Sequence, residues 1–208
     1  MVQNLLTLRM RGVNCLHVEA DGDLKVITVK TQSIKAACGM AATKDTRYYL
    51  VGVQILVRDD GDVHVRASDG SLAFDDLMPE KSAFAPADFI IPLDVAKLIS
   101  KSKAPTVEIT IGSDGRFECA GQIFKPLDGK FPDCDRVMPT RDSQFDAAVN
   151  QYDAELLARC QTAMRIATGL SKAFFKMQNS PCGLMHREND TYPRCAVMPL
   201  RDRAFLDN

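Results

Sequence analysis

The feature that most limits what this 208-residue chain can fold into is an order of elements that recurs three times along it. Residues 24–29 are apolar and β-branched and read as a strand, with Ser33 placed to cap a short helix over 34–42. Strand-like runs follow at 48–57 and 63–67, separated by 58–62, whose Asp60-Gly61 step signals a hairpin. The order returns as a strand at 89–92, a helix over 94–102 stopped before Pro105, a strand at 107–111, a Ser-Asp-Gly turn at 113–115 and strands through 117–125. After a polar connection over 128–143, a third copy reads as a strand at 145–149, a helix at 152–168, and strands at 173–178, 183–187 and 194–200. Repetition at roughly 55 residues predicts an α+β fold of β-α-β-β-β half-units, with antiparallel sheets on one side and helices on the other. Two of the units fall within 24–140 and the third within 141–208. Residues 1–23 hold two strand candidates, 5–11 and 14–19, joined at Gly12 and without an assigned partner.

Composition decides which classes of chain this can be. At 46% hydrophobic residues there is enough apolar surface for one or two cores, which excludes a disordered or fibrous chain. The 26 basic and 27 acidic residues leave a formal charge of −1, so contact with nucleic acid must come from a local patch. Cys15, Cys38, Cys119, Cys134, Cys160, Cys182 and Cys195 are odd in number and lack CxxC spacing, the pattern of reduced thiols in a cytoplasmic protein. No basic, apolar leader opens the sequence and no run reaches about 18 apolar residues, so neither secretion nor a membrane span is expected.

Several stretches, taken in order, resemble the beta sliding clamp of bacterial replicative DNA polymerase. Asp45-Thr46-Arg47-Tyr48-Tyr49-Leu50-Val51-Gly52 is similar to the family's D-x-R-Y-Y-L-N-G, and Ala67-Ser68-Asp69-Gly70 to its A-T-D-G turn. Leu127-Asp128-Gly129-Lys130-Phe131-Pro132-Asp133, with Val137 and Pro139 beyond, resembles the linker D-G-x-F-P-D-x-x-x-V-x-P. The closing Val197-Met198-Pro199-Leu200-Arg201 is similar to V-M-P-M-R. The resemblance implies the DNA clamp fold, antiparallel sheets outside and helices inside, cut to a complete middle domain over 24–140 and a partial last one over 141–208.

It also implies a socket for short hydrophobic peptides of polymerase, loader or repair proteins. The matching positions are Leu50, Ser68, Gly70, Leu72, Pro132, Val137, Ala196, Met198, Pro199, Leu200 and Arg201. Aliphatic side chains and prolines would line a rigid concavity, methionine would adapt to varied ligands, and glycine would admit backbone. Taken singly, Leu50 or Val137 reads better as core; the socket reading rests on the group. Where the family's turn runs on as D-G-H-R-L, this chain has Ser71-Leu72-Ala73, so large polar rim side chains are missing.

The family's helices face double-stranded DNA and touch phosphates without reading bases. The residues expected in that role are Lys35, Lys44, Lys97, Lys101, Lys103, Arg159 and Arg165, with Lys97 and Lys101 one turn apart. Any one of them fits an ordinary solvated helix face as well. Asp153 and Glu155 suit the first turn of the third helix without DNA. The repeat count motivates a homo-oligomer that encircles DNA as a processivity or accessory factor; the other reading is a non-encircling peptide-binding regulator of a host clamp.

Enzymatic readings find little support. No phosphate-loop, nucleophile-elbow or zinc-protease signature is present, and His17, His64 and His186 stand far apart. Asp133, Asp135, Glu188 and Asp190 read as solvated linker and turn acids rather than a cation site, and Cys134 and Cys182 have no basic neighbour at fixed spacing. The chain is expected to be no enzyme and to need no cofactor or metal.

Overall fold

The structure, a computed structural model, describes residues 25–83, 86–112, 114–138, 152–170, 176–180, 182–186 and 192–199. The strand expected at 145–149 and the candidates within 1–23 lie outside the described residues.

The first unit is β1 (Lys25–Lys30), α1 (Thr31–Met40), a 3₁₀ turn (Tyr48–Leu50), β2 (Gly52–Val57), β3 (Val63–Ser68) and β4 (Leu72–Leu77). The second is β5 (Ala87–Pro92), α2 (Leu93–Ile99), β6 (Thr106–Ile111), β7 (Phe117–Cys119) and β8 (Gln122–Phe124). A single helical turn, α3 (Cys134–Val137), leads to α4 (Ala154–Thr168), β9 (Lys176–Ser180), β10 (Cys182–His186) and β11 (Arg194–Val197). Every strand pairing is antiparallel. One sheet runs β1-β6-β7-β8, the other β5-β2-β3-β4-β11-β10-β9. The longer sheet is seamless across residue 140, because β11 pairs with β4 through Arg194–Asp75, Cys195–Phe74, Ala196–Ala73 and Val197–Leu72.

The main core lies where α1, α2 and α4 cover the sheets. Ile34 and Met40 of α1, Ile99 of α2 and Met164 of α4 meet Val53, Ile55, Val65 and Phe74, all fully buried. Each such side chain contributes about 1.5–3 kcal/mol of transfer free energy. α1 packs against both other helices, which places the three in one layer.

Local chemistry departs from expectation at several points. α1 begins at Thr31, and Lys30 at its N-cap supplies no side-chain cap. Its first donors are satisfied from the second unit instead: the Thr31 amide donates to Pro105 O (3.0 Å) and its hydroxyl to Ala104 O (2.6 Å). Ser33 is therefore no cap; it is buried inside the helix and donates to Asp76 Oδ2. Regular α2 stops at Ile99 rather than 102, with the Ser102 amide closing a tighter turn on Ile99 O. The run expected as a strand from 48 begins as a 3₁₀ turn and straightens only at Gly52, where a Cβ would stand 2.5 Å from Ile90 Cγ2 and 2.7 Å from Ile91 O. Strand β4 was not expected at all, since its Asp75-Asp76 pair is poor strand chemistry. α4 starts as its sequence indicates, with Asp153 accepting from the Glu155 amide at 2.7 Å, and ends at Gly169 with φ of 69°.

Candidate functional site

Side chains alternate along the strands of the longer sheet, so it has two buried faces. Leu72, Phe74, Cys195 and Val197 point to the helices, while Ala73, Asp75, Arg194 and Ala196 point the other way. On that outer face Ala73 and Ala196 lie opposite each other and join Leu50, Ile90, Phe131, Cys134 and Met138 in a second apolar cluster. Distant stretches build it: the floor comes from β4 and β11, one wall from the 3₁₀ turn, another from the linker around α3, and Ile90 from β5. Val137 on α3 and Met198 just after β11 are each 51% exposed, which puts flexible apolar groups on the two stretches that frame the cluster.

The turn between β3 and β4 is locked by its own side chains. Ser68 Oγ donates to Leu72 O (2.7 Å) and accepts from the Gly70 amide (3.1 Å), and Asp69 Oδ1 accepts from the Ser71 and Leu72 amides. The tail is tied to this turn by the Met198 amide, which donates to Ser71 O at 2.9 Å. Gly70 has φ of 93°, and a Cβ there would sit 2.6 Å from Arg47 Nη2, so the turn depends on glycine. Arg47 in turn binds Asp45, and its hydrogen bonds hold that carboxyl down to about 2.

Of the sequence-predicted socket positions, Leu50 and Ala196 are in the cluster, Ser68 and Gly70 form the adjoining turn, and Pro132, Val137, Met198 and Pro199 lie at or near the surface. Leu72 is different: strand alternation sends it into the main core, and its neighbour Ala73 occupies the outer face. Leu200 and Arg201 lie outside the described residues. Phe131, Cys134 and Met138 were not among the expected socket positions, although Phe131 stands in the linker motif; the signal that points to them is their apolar character within an otherwise polar linker.

Beside the cluster the outer face carries an ionic network that the spacing of residues did not reveal. Asp75, wholly buried, is met by His64 Nδ1 (2.8 Å), Arg66 Nε (3.0 Å) and Arg194 Nη2 (2.8 Å). Burial favours its neutral form, but the hydrogen bond with His64 and the charge of Arg66 outweigh that and hold the carboxyl well below the usual carboxylate range. Asp135, expected to be solvated, is met by Arg58 (2.6 Å), Arg66 (3.0 Å) and Arg194 (3.2 Å). Tyr192 completes the assembly, its ring under the Arg194 guanidinium at 4.8 Å. Cys134 is buried, and desolvation raises its thiol to about 12, which removes it as a nucleophile at neutral pH.

On the helix layer, Lys35, Lys97 and Arg165 are exposed on α1, α2 and α4, and Lys44, Lys101 and Lys103 are exposed in the segments that follow α1 and α2. Lys97 stands near Cys38 of α1, whose thiol burial raises to about 12 against the pull of that lysine. Arg159 is committed elsewhere: it binds Asp69 at 2.6 Å and donates twice to Gly39 O, at 3.1 and 3.3 Å. Between α1 and α4 lies a cleft of about 350 Å³ lined by Ala36, Gly39, Ala158 and Ile166.

The architecture has counterparts among solved structures. The beta subunit of DNA polymerase III from Thermotoga maritima matches with a TM-score of 0.66 at 12% identity, over 90% of this chain and 68% of that one. A DNA polymerase sliding clamp from Pseudomonas aeruginosa matches with a TM-score of 0.62 at 16% identity, over 89% and 69%. This chain has the DNA sliding-clamp fold. The sliding-clamp resemblance extends to sequence: a beta sliding clamp of Caulobacter vibrioides is 30% identical over 131 residues, 58% of this chain. That stretch spans 35% of the relative's length. No family model matches the chain. The clamp structure from Borrelia burgdorferi, with a TM-score of 0.63 at 14% identity over 90% of this chain and 67% of its own, was solved in complex with a natural product.

Proposed function

We propose that this protein is a sliding-clamp-like processivity or accessory factor: a binding protein that takes short hydrophobic peptides of replication or repair proteins into the outer-face socket and encircles double-stranded DNA as a homo-oligomer. The observation that carries the reading is the apolar cluster floored by Ala73 and Ala196, with Val137 and Met198 exposed on the two stretches that frame it. A buried leucine or phenylalanine from a partner would contribute about 1.5–3 kcal/mol there. Met198, exposed beside the cluster, is an adaptable side chain that suits varied partners. The complex of the Borrelia burgdorferi beta subunit with a natural product supports a ligand-binding role for this fold. Lysines on the exposed helix layer supply sequence-independent phosphate contacts, and an overall charge of −1 suits weak, delocalised attraction that permits sliding. Among the described residues, no helix is long and apolar enough to cross a membrane.

The test is a binding titration of labelled, uncharged hexapeptides carrying leucine and phenylalanine, together with mass measurement in solution with and without duplex DNA. Low-micromolar peptide binding and an oligomer that retains circular DNA are expected. No peptide binding at high micromolar concentration by the folded protein would defeat the reading. A peptide-binding monomer indifferent to DNA would be the non-encircling regulator instead.

A further inference from the structure

We propose that Asp135 is a positioning residue for the socket, a clasp that fixes the linker wall over the sheet without itself touching a peptide. This rests on the reading of the apolar cluster as a peptide socket. The wall is α3, four residues long, and a single helical turn has no stability of its own. Its amides at Arg136 and Met138 bond back only to Asp133 and Cys134, within the same turn. Among the described residues, its ties to the sheet include the apolar side chains of Cys134 and Met138 and the Asp135 carboxylate between them. That carboxylate gathers Arg58 from the β2–β3 turn, Arg66 from β3 and Arg194 from β11. Arg66 and Arg194 are each shared with Asp75, so one pair of guanidiniums bridges the floor strand and the linker.

Charge makes the arrangement specific. Arg66 and Arg194 side chains are only 3% and 12% exposed, so they cannot regain water if a partner leaves. With Asp135 present, three guanidiniums face two carboxylates; without it, Arg66 and Arg194 face Asp75 alone and Arg58 loses its ion pair to the linker. The linker then loses its polar attachment, and Val137, whose place at the rim is set by α3, loses its fixed position. Each of the three arginines reaches Asp135 through its Nη2, and an amide of the same shape cannot replace the carboxylate there because it offers a donor to donors.

The experiment measures hexapeptide affinity for the wild type, Asp135→Asn, Asp135→Glu and Arg58→Ala, with amide hydrogen exchange at residues 136 and 138. Asp135→Asn is expected to bind roughly three- to thirtyfold more weakly, mainly through faster dissociation, with faster exchange in α3. Asp135→Glu is expected to recover part of the loss. Ile109→Val, which loosens the other sheet, controls for stability and should leave affinity unchanged. If the wild type binds and Asp135→Asn binds within threefold of it, the clasp is overturned while the socket stands. If the wild type itself binds nothing, the socket reading fails. Should Asp135→Asn not fold, Arg58→Ala at the exposed turn decides the matter by the same threefold criterion.

Discussion

Replacing Arg159 by alanine separates two roles that its position on α4 allows. The geometry gives it a structural one: an ion pair to Asp69 at 2.6 Å and two hydrogen bonds to Gly39 O, linking α4 to the β3–β4 turn and to the end of α1. Charge-assisted hydrogen bonds contribute about 1.5–3 kcal/mol when well shielded. The Arg159 and Asp69 side chains are 32% and 16% exposed, so solvent screening reduces this to about 1–2 kcal/mol. For a chain of this size each kcal/mol moves the midpoint by about 2–4 °C, so thermal unfolding should shift down by roughly 2–8 °C. DNA affinity measured across a salt series should keep its slope, because a guanidinium spent on Asp69 neutralises no phosphate. An unchanged melting temperature with a slope reduced by about 0.9 would refute the argument and return Arg159 to the DNA-facing set.

Other perturbations address the two surfaces separately. Met198→Ala should weaken hexapeptide binding by about 1 kcal/mol, roughly fivefold, with DNA retention unchanged. Lys97→Ala combined with Lys101→Ala should lower the salt slope of DNA binding by about 1.8 and leave peptide titrations alone. Acid should open the outer face first: Asp75 and Asp135 are held below the ordinary 3.8, so their stabilising contribution is full above that value and is lost as pH falls through their lower folded values, read by circular dichroism below pH 4. Asp76 runs the opposite way. Burial raises its pKa, so its charged form opposes folding increasingly as pH rises above 3.8, and Asp76→Asn should raise or preserve the midpoint at pH 7 in thermal melts.

Much of this fold could be read from the chain because its elements carry local chemistry. The Asp60-Gly61 turn, Asp153 at the start of α4 and Gly169 at its end each specify their geometry through near neighbours. What could not be read depends on distant partners. β4 is a strand because Asp75 is neutralised by Arg66 and Arg194, the latter 119 residues away. Ser33 serves Asp76 rather than capping its own helix, and the Thr31 amide at the helix start is taken up by residue 105. The outer apolar cluster was half legible for a related reason: motif matching pointed to the turn that adjoins it, but only strand register shows that Ala73 rather than Leu72 faces it.

The pairing of β4 with β11 also sets an order of events during synthesis. Contacts between residues so far apart form late, after loop-closure entropy has been overcome. Until Arg194 to Val197 arrive, β4 is an unpaired edge, Asp75 lacks one of its guanidiniums and Ala73 has nothing opposite it. A nascent chain that has not cleared the ribosome past Val197 therefore has its helices and its first sheet strands but lacks half the floor of its outer cluster, which is completed only when β11 arrives.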